Sequence, residues 1–329
     1  MFEAEGITVI RSAGSKRSQL SVVDDVRFRI GFGRTLAVVV SEPETADFLG
    51  LALQGLALHK DDRLSGLIRI GGTGIRVSDE EQMELRRGGD IGYVPRVAPK
   101  KKVGDLLVET YLLENQVDKR EARRQAIFLL ESIGFDDAAS TLERHLGEMP
   151  ALERTLVLLA NAICNGPRVV ILNHLLHEIE PTDRLRLVAA VQRLRDSLNC
   201  AVVWLTPSLA ESVLYADEIC VMYASRIVET GSKTDIFLRP EMPYTVNLLA
   251  VAPQLNRQIP AELVPEAREP SPSGCSYSTT CGRATLVDNR ACFESVPGLS
   301  PSGVGHEVRC HLASAIRIRF ARQLLAGES

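Results

Sequence analysis

The chain has 329 residues, of which 45% are hydrophobic and 24% charged, and its formal net charge at pH 7 is -4. Such a chain can bury a substantial core in one large domain with an appendage. The balanced charge gives no overall attraction to nucleic acid, so we expect no nucleic-acid partner. No apolar run approaches the roughly 20 residues that span a bilayer, and the start of the sequence lacks the pattern of a signal peptide. We therefore expect a cytoplasmic protein.

Apolar, β-rich runs alternate with amphipathic helical patterns as far as about Pro253. This alternation is typical of an α/β domain with a largely parallel sheet. The predicted elements, in chain order, are a strand at Arg34 to Val40, a helix at Lys119 to Ile133, a strand at Val169 to Leu172, a helix at Asp183 to Leu198, and strands at Ala201 to Leu205 and Ile219 to Tyr223.

The composition changes after Pro253. A tract rich in Pro, Ser and Glu, Gln258 to Gly274, reads as a linker or surface wrap and precedes a tail that carries cysteines. We place the boundary at about residue 255, which gives a domain of residues 1–255 and a C-terminal extension of residues 256–329.

Three segments near the end of the chain carry a resemblance to a known family. They are Val221 to Gly231, Arg239 to Thr245 and Gly305 to Leu312. Together they are similar to the ATP-binding subunits of ABC transporters, specifically of the oligopeptide, dipeptide and Sap-type peptide importers. The resemblance covers nearly the whole chain. It implies an ABC-type nucleotide-binding domain like that of P-loop NTPases, a helical subdomain at about residues 97–165 and a cysteine-containing C-terminal extension.

The phosphate-binding loop of that family has lost its functional residues here. In G-x-x-x-x-G-K-[ST], backbone amides cradle the phosphates, the lysine reaches the β and γ phosphates, and the hydroxyl binds magnesium. The equivalent octet, Val40 to Asp47, has Ala46 at the lysine position and Asp47 at the hydroxyl position. Pro43 removes a backbone donor, and each acidic side chain near phosphate costs roughly 1 kcal/mol at about 4 Å in water. We expect neither ATP nor magnesium to bind at this chain's own motifs.

The other nucleotide motifs are degenerate as well, while the D-loop keeps some acidic character at Glu178 and Glu180. Since each electrostatic clamp is worth on the order of 100 to 1000-fold in rate, we predict a pseudo-ATPase that does not hydrolyse ATP. By the resemblance, the altered positions are Arg96 at the Q-loop glutamine, Pro150 in the signature motif, Asn173 and His174 at the magnesium aspartate and catalytic glutamate, and Pro207 at the switch histidine.

The C-terminal extension contains four of the seven cysteines, Cys275, Cys281, Cys292 and Cys310. The resembling subfamily often has four cysteines here, and some members hold a 4Fe-4S cluster on them. Four thiolates suit such a cluster and would also suit zinc, while unligated thiols remain a third possibility. The middle spacing is longer than in the family. We favour the cluster, with a structural role in tying down the tail.

The resemblance implies a catalytically inactive, structural or regulatory subunit in a heterodimeric peptide importer. Its partners would be an ATP-competent ABC ATPase paralogue, two transmembrane permease subunits and a substrate-binding protein. The chain would lie peripherally on the cytoplasmic side of the inner membrane. The alternative is a soluble regulator or iron-sulfur redox sensor derived from an ABC ATPase.

Overall fold

The computed structural model describes residues 1–13, 18–252, 269–271 and 273–326. They form two compact units, the first made of Met1–Leu36 with Glu42–Thr206 and the second of Ala37–Ser41 with the chain from Pro207 onward. The predicted boundary at residue 255 lies outside the described residues, as does most of the tract Gln258 to Gly274.

The strands and helices have the following bounds. The strands are β1 Phe2–Ala13, β2 Ser18–Ile30, β3 Thr35–Val39, β4 Arg63–Ile70, β5 Thr73–Arg76, β6 Ile91–Val94, β7 Val169–Asn173, β8 Ala201–Thr206, β9 Glu218–Tyr223, β10 Arg226–Ser232, β11 Ser300–Gly303 and β12 His306–Val308. The helices are α1 Pro43–Ala52, α2 Glu80–Glu84, α3 Val103–Glu114, α4 Lys119–Ser132, α5 Ala138–Thr141, α6 Ala151–Ile163, α7 Pro181–Leu198, α8 Leu209–Ser212, α9 Lys233–Leu238, α10 Pro243–Ala250, α11 Ala291–Glu294 and α12 Ser314–Ala326.

The first unit begins with an antiparallel sheet in the order β2-β1-β4-β5. Alternating side chains of β1, among them Phe2, Ile7 and Val9, are fully buried, as expected for a strand with one face on a core. The register of β1 shifts around Gly6, where the backbone has a φ of +65°. A Cβ atom on Gly66 of β4 would lie 2.7 Å from the carbonyl oxygen of Gly6 in β1. The backbones of these paired strands therefore approach each other more closely here than a residue with a side chain allows.

The first unit also holds the parallel strands β6, β7 and β8, paired with Ile91 opposite Val169 and Val169 opposite Ala201. Every residue of β7 and β8 is buried, which explains their continuous apolar sequences. The carboxyl end of β7 therefore delivers Asn173 to the edge where ligands of open α/β sheets bind. Helices α3 to α6 lie in the segment of about 97–165 that we predicted as a helical subdomain.

The second unit is built on strands in the order β11-β12-β10-β9, with the end of β3 next to β9. Glu229 of β10 pairs with Val308 of β12, so the tail joins this sheet. Helices α10 and α12 pack together through Val246, Ala250 and Ala321.

The structure confirms the α/β class, and each element predicted above is present within about two residues of its predicted bounds. The helix predicted from Asp183 starts earlier, because Pro181 occupies its first turn, where a missing N–H costs nothing. The larger sheet is less parallel than predicted, since its pairs β9–β10, β10–β12 and β11–β12 are antiparallel, and β1, β2, β4 and β5 form a separate antiparallel sheet. None of the described helices has the length and apolar character needed to cross a membrane.

Candidate functional site

Helix α1 begins directly after the loop that is equivalent to a phosphate-binding loop. Pro43 stands in the first turn, and no side chain caps the helix. Ala46, at the position of the lysine in the resembling family, is fully buried. Its methyl side chain has no charge and is too short to reach a phosphate. Glu44 projects to the surface and pairs with Arg11 at 2.6 Å. The start of α1 therefore offers carboxylates where an anion site needs free amides and a cation.

Asp47 and Arg96 form an ion pair within the first unit. Arg96 Nη2 lies 2.6 Å from Asp47 Oδ2, and Arg96 Nε lies 3.3 Å from Asp47 Oδ1. The two side chains are 30% and 20% exposed, so water screens the pair only in part. The hydrogen bond to Asp47 raises the pKa of the Arg96 guanidinium above its ordinary value, which keeps this group a cation.

Asn173, at the end of β7, joins this pair. Its Nδ2 donates to Asp47 Oδ1 at 2.7 Å and to the Tyr93 hydroxyl at 3.2 Å. Asn173 is fully buried, and its Oδ1 has no hydrogen-bond partner among the residues that the structure describes. Burial raises the pKa of Tyr93 to about 12, so the phenol stays protonated. Asp47, Arg96, Asn173 and Tyr93, hereafter the α1 polar network, thus hold one another.

His174 follows Asn173 with a backbone φ of +51°. Its amide donates to the carbonyl of Leu205 at 2.9 Å, which ties the end of β7 to β8, and its side chain is 4% exposed. The position of the catalytic glutamate in the resembling family is thus filled by a buried imidazole in a strained left-handed conformation.

The segment that aligns with the signature motif leads into α6. Pro150 is the residue before the helix, and no side-chain cap is present. Arg144 Nη1 pairs with Glu153 in the first turn at 2.7 Å, and Arg154 forms an ion pair with Glu178, one of the two acidic residues of the predicted D-loop. This helix start presents charged side chains in place of the serine hydroxyl and glycine amides of an L-S-G-G-Q motif.

Pro207 belongs to the second unit, just before α8. Its neighbour Ser208 caps this helix by accepting a hydrogen bond from the amide of Glu211 at 3.2 Å. A proline side chain has no polar atom, so this position cannot perform the polar role of a switch histidine.

The four tail cysteines lie near one another in the second unit. Cys275 donates its amide to the carbonyl of Cys292 at 2.9 Å, and the thiols of Cys292 and Cys310 interact electrostatically with those of Cys275 and Cys281. Burial raises the pKa of all four thiols, to about 11 for Cys292 and about 12 for Cys310. Four thiols are the donor type that a group held by four thiolates requires. Among the described residues, however, no three His, Cys, Asp or Glu side chains converge closely enough to hold a metal ion.

Three tyrosines that meet in tilted and edge-to-face contacts connect this tail to the body of the second unit. The ring centroids of Tyr223 and Tyr244 are 4.6 Å apart, and the ring of Tyr277 meets them at 5.1 and 5.4 Å. The Tyr244 hydroxyl hydrogen-bonds to Ser41 at 2.9 Å, and the Tyr277 hydroxyl accepts a hydrogen bond from Asn247. The tail is thus anchored to the end of β3. The sequence analysis missed this cluster, although Tyr277 stands between two of the cysteines.

A buried ionic network forms a second connection between the tail and the rest of the second unit. Glu229 is fully buried, accepts from the amides of Glu241 and Met242, and lies 2.9 Å from His306 Nε2. Glu241 in turn pairs with Arg317 of α12 at 2.8 Å. The sequence offers little signal for this network, because Glu229 lies in a strand that also contains Arg226, Thr230 and Ser232.

Comparison with solved structures identifies the class of fold. The dimeric bacterial ABC transporter cassette MJ0796 superposes with a TM-score of 0.60 over 71% of this chain and 99% of that chain, at 12% identity. The cbiO1 protein of Clostridium perfringens superposes with a TM-score of 0.56 over 72% of this chain and 90% of that chain, at 16% identity. The chain has the fold of an ABC ATPase cassette.

Sequence comparison narrows this class. Residues 228–286 match the family model of the oligopeptide/dipeptide transporter C-terminal region. The oligopeptide transport ATP-binding protein AppD of Bacillus subtilis is 24% identical, covering 90% of this chain and 92% of its own length. The dipeptide transport ATP-binding protein DppF of Haemophilus influenzae is 27% identical, covering 90% of each. The chain is a relative of the ATP-binding subunits of oligopeptide and dipeptide ABC transporters, which confirms the resemblance stated above.

Proposed function

We propose that this chain is a subunit of an ABC peptide importer that neither binds nor hydrolyses ATP itself. The observation that carries the proposal is the α1 polar network. In P-loop ATPases, magnesium is held by the hydroxyl of the phosphate loop and by an aspartate at the end of a later strand. The equivalent residues here, Asp47 and Asn173, bond to each other. Arg96 supplies the positive charge that magnesium would otherwise bring.

The phosphate side supports the same proposal. With Ala46 buried and Pro43 in the first turn, the loop offers no lysine and one amide fewer. A triphosphate would also have to approach Asp47 and displace its contact with Arg96. Triphosphate binding would therefore lose the attraction between Asp47 and Arg96 and add a repulsion between Asp47 and the phosphates.

The role that remains is architectural. A chain with the cassette fold and no nucleotide chemistry can present a dimer face and a permease-docking surface while a partner supplies the driving force. We propose that the partners are an ATP-competent ABC ATPase paralogue, two permease subunits and a substrate-binding protein, and that this subunit sits peripherally on the cytoplasmic face of the inner membrane. The names of AppD and DppF support peptides as the transported class.

The complex can be isolated through a tag on this chain in mild detergent. We expect a second ATPase subunit and membrane permeases to co-purify, and ATP hydrolysis to fall to background when the phosphate-loop lysine of that second subunit is replaced by alanine. Residual hydrolysis would have to come from this chain and would contradict the proposal. Recovery of a lone soluble homodimer would instead favour the soluble regulator derived from an ABC ATPase.

We also propose that Cys275, Cys281, Cys292 and Cys310 hold a 4Fe-4S cluster with a structural role. The cluster would supply four iron-thiolate bonds that close the tail onto itself. After anaerobic reconstitution, we expect the iron and sulfide content of one cubane per chain, and its loss in Cys292→Ser. Cys164→Ser is the matched control, because Cys164 lies in the first unit, remote in sequence from the tail. Stoichiometric zinc, or no metal after reconstitution, would contradict the cluster.

A further inference from the structure

A well-formed cavity in the second unit has none of the altered nucleotide-motif positions in its lining. It has a volume of about 750 Å³ and is bounded by the end of α9, the hairpin of β11 and β12, and one face of α12. Cavities of about 300 to 1000 Å³ are typical of sites for small organic molecules, whereas a simple ion needs far less space.

The polar part of its wall is fixed in place. Asp235, Glu241 and His306 line the cavity and are 8%, 4% and 5% exposed. Asp235 caps α9 and binds Arg239 at 2.6 Å, while Glu241 accepts from Ser302 at 2.6 Å and from Arg317 Nε at 2.9 Å. Because each polar group is held by its own partners, the wall keeps one geometry and does not need a ligand to order it.

The charges of this wall favour an anion. The carboxylates of Asp235 and Glu241 are neutralised by Arg239 and Arg317, and that of Glu229 is neutralised by His306 when the imidazole is protonated. Arg322 of α12 also lines the cavity, is exposed, and has no ion-pair partner among the described side chains. The cavity therefore carries one cation in excess of its internal pairs.

His306 provides a second donor for an anion. Its Nε2 is engaged with Glu229, and its Cδ2 edge faces Gly231, where an added Cβ atom would lie 3.2 Å from Cδ2. The ring nitrogen left for a ligand is Nδ1, for which no hydrogen-bond partner is described, on a residue that lines the cavity. Burial lowers the pKa of His306, but the hydrogen bond to Glu229 and the surrounding carboxylates outweigh burial and raise it overall. In the protonated ring both nitrogens are donors.

The rest of the lining is apolar, and two large hydrophobic side chains stand at its mouth in solvent. Leu238 is 72% exposed, and Val304 of the hairpin is fully exposed. Phe237, Ile318 and Ala321 continue this surface inward. An apolar ligand body would cover these side chains, which gain nothing from being in water.

We propose that this cavity is a binding site for an amphipathic carboxylate, whose head lies between Arg322 and His306 Nδ1 and whose apolar body rests on Phe237, Ile318 and Val304. A fatty acid and the C-terminal end of an apolar peptide share this chemistry. The site is independent of the proposed loss of ATP binding.

Titration calorimetry on the full-length chain tests the site with octanoate, octylammonium, acetate and trileucine. We expect octanoate, trileucine or both to bind. The stronger of the two shows whether the site prefers a fatty acid or the C-terminal end of an apolar peptide. We expect octylammonium, which has the wrong charge, and acetate, which lacks the apolar body, to bind at least about ten-fold more weakly. Equal binding of octylammonium and octanoate, or no binding by octanoate and trileucine, would overturn the proposal.

Two variants locate the binding. Arg322→Glu should weaken it at least about ten-fold, because an attraction becomes a repulsion at an exposed position that folding does not need. Arg319→Glu is the matched control, since it makes the same charge change on the same helix at a residue that does not line the cavity. Ile318→Trp should weaken binding by filling the apolar part of the cavity. If the Arg322 and Arg319 variants lose the same affinity, only the net charge of the chain matters. If the Arg322 and Ile318 variants keep their affinity, the ligand binds elsewhere. Either result would overturn the proposal.

Discussion

Arg96 and Asp47, 49 positions apart in the sequence, form an ion pair at 2.6 Å beside the buried amide of Asn173. By the resemblance, each residue stands where the family has a nucleotide-binding group. Together they form a stable arrangement, because the carboxylate that would repel phosphate is neutralised by the arginine at the Q-loop position. The substitutions therefore support one another within the folded chain.

The ion pair should contribute to stability. Asp47→Ala leaves Arg96 and the Asn173 amide without their shared acceptor, and we expect a loss of about 1 to 3 kcal/mol in the free energy of unfolding. A double-mutant cycle with Arg96→Gln should give a coupling energy of about 1 kcal/mol in urea denaturation. Glu44→Gln is the control, because its pair with Arg11 is more exposed and should cost less than about 1 kcal/mol. A coupling energy of zero would mean that the pair is incidental.

The ion pair between Glu241 and Arg317 should matter more, since both side chains are 6% exposed. Arg317→Met leaves a buried carboxylate with hydroxyl partners alone, at a cost of about 3 to 5 kcal/mol. Thermal unfolding of the full chain would measure this loss. The same substitution at the exposed Arg319 should change stability by less than about 0.5 kcal/mol. Similar losses in both variants would contradict a specific role for the buried pair.

His306 should make stability depend on pH. Its folded pKa is raised by Glu229, with Asp235 and Glu241 nearby. The stabilisation is therefore complete below the ordinary histidine pKa of about 6.5 and is lost as pH rises through the folded value. The melting temperature of the wild type minus that of His306→Gln should fall as pH rises above about 6.5. A difference that rises with pH would have the wrong sign for a charged pair.

Tyr277 should hold the cysteine tail in place. Tyr277→Phe loses the hydrogen bond with Asn247, at a cost of about 1 kcal/mol in the free energy of unfolding. Tyr277→Ala also removes the ring that contacts Tyr223 and Tyr244 edge to face. We expect the alanine variant, as the chain without added iron, to increase alkylation of Cys275 and Cys281 about ten-fold or more through local opening. Cys220, fully buried in β9 of the same unit, is the internal reference. Unchanged alkylation of Cys275 and Cys281 would show that the contacts of Tyr277 with Tyr223 and Tyr244 do not anchor the tail.

The sequence was informative about some parts of this structure and silent about others. The buried strand from Val169 and the helix that ends at Leu198 follow from continuous apolar sequence and from helical periodicity. The first sheet escaped prediction because the bulges in β1 near Gly6 break its two-residue alternation.

The site divides in the same way. The resemblance identified the missing groups at Ala46, Asp47 and Asn173 position by position. The partners that replace them depend on tertiary contacts between residues up to 126 positions apart, such as Asn173 and Asp47, and no local pattern encodes such a pairing. Tyr93 was quoted only as part of the strand before Arg96, although a phenol in a buried strand requires a polar partner.

The central claim is that this chain's own motifs do not bind nucleotide. Titration calorimetry of the full-length chain with ATP and magnesium tests it most directly. With the cation position taken by Arg96 and no lysine at residue 46, we expect no measurable heat of binding, and no change in melting temperature when ATP and magnesium are added in large excess. Micromolar affinity, weakened by Arg96→Gln or Asp47→Ala, would show that these residues form a nucleotide site and would contradict the claim.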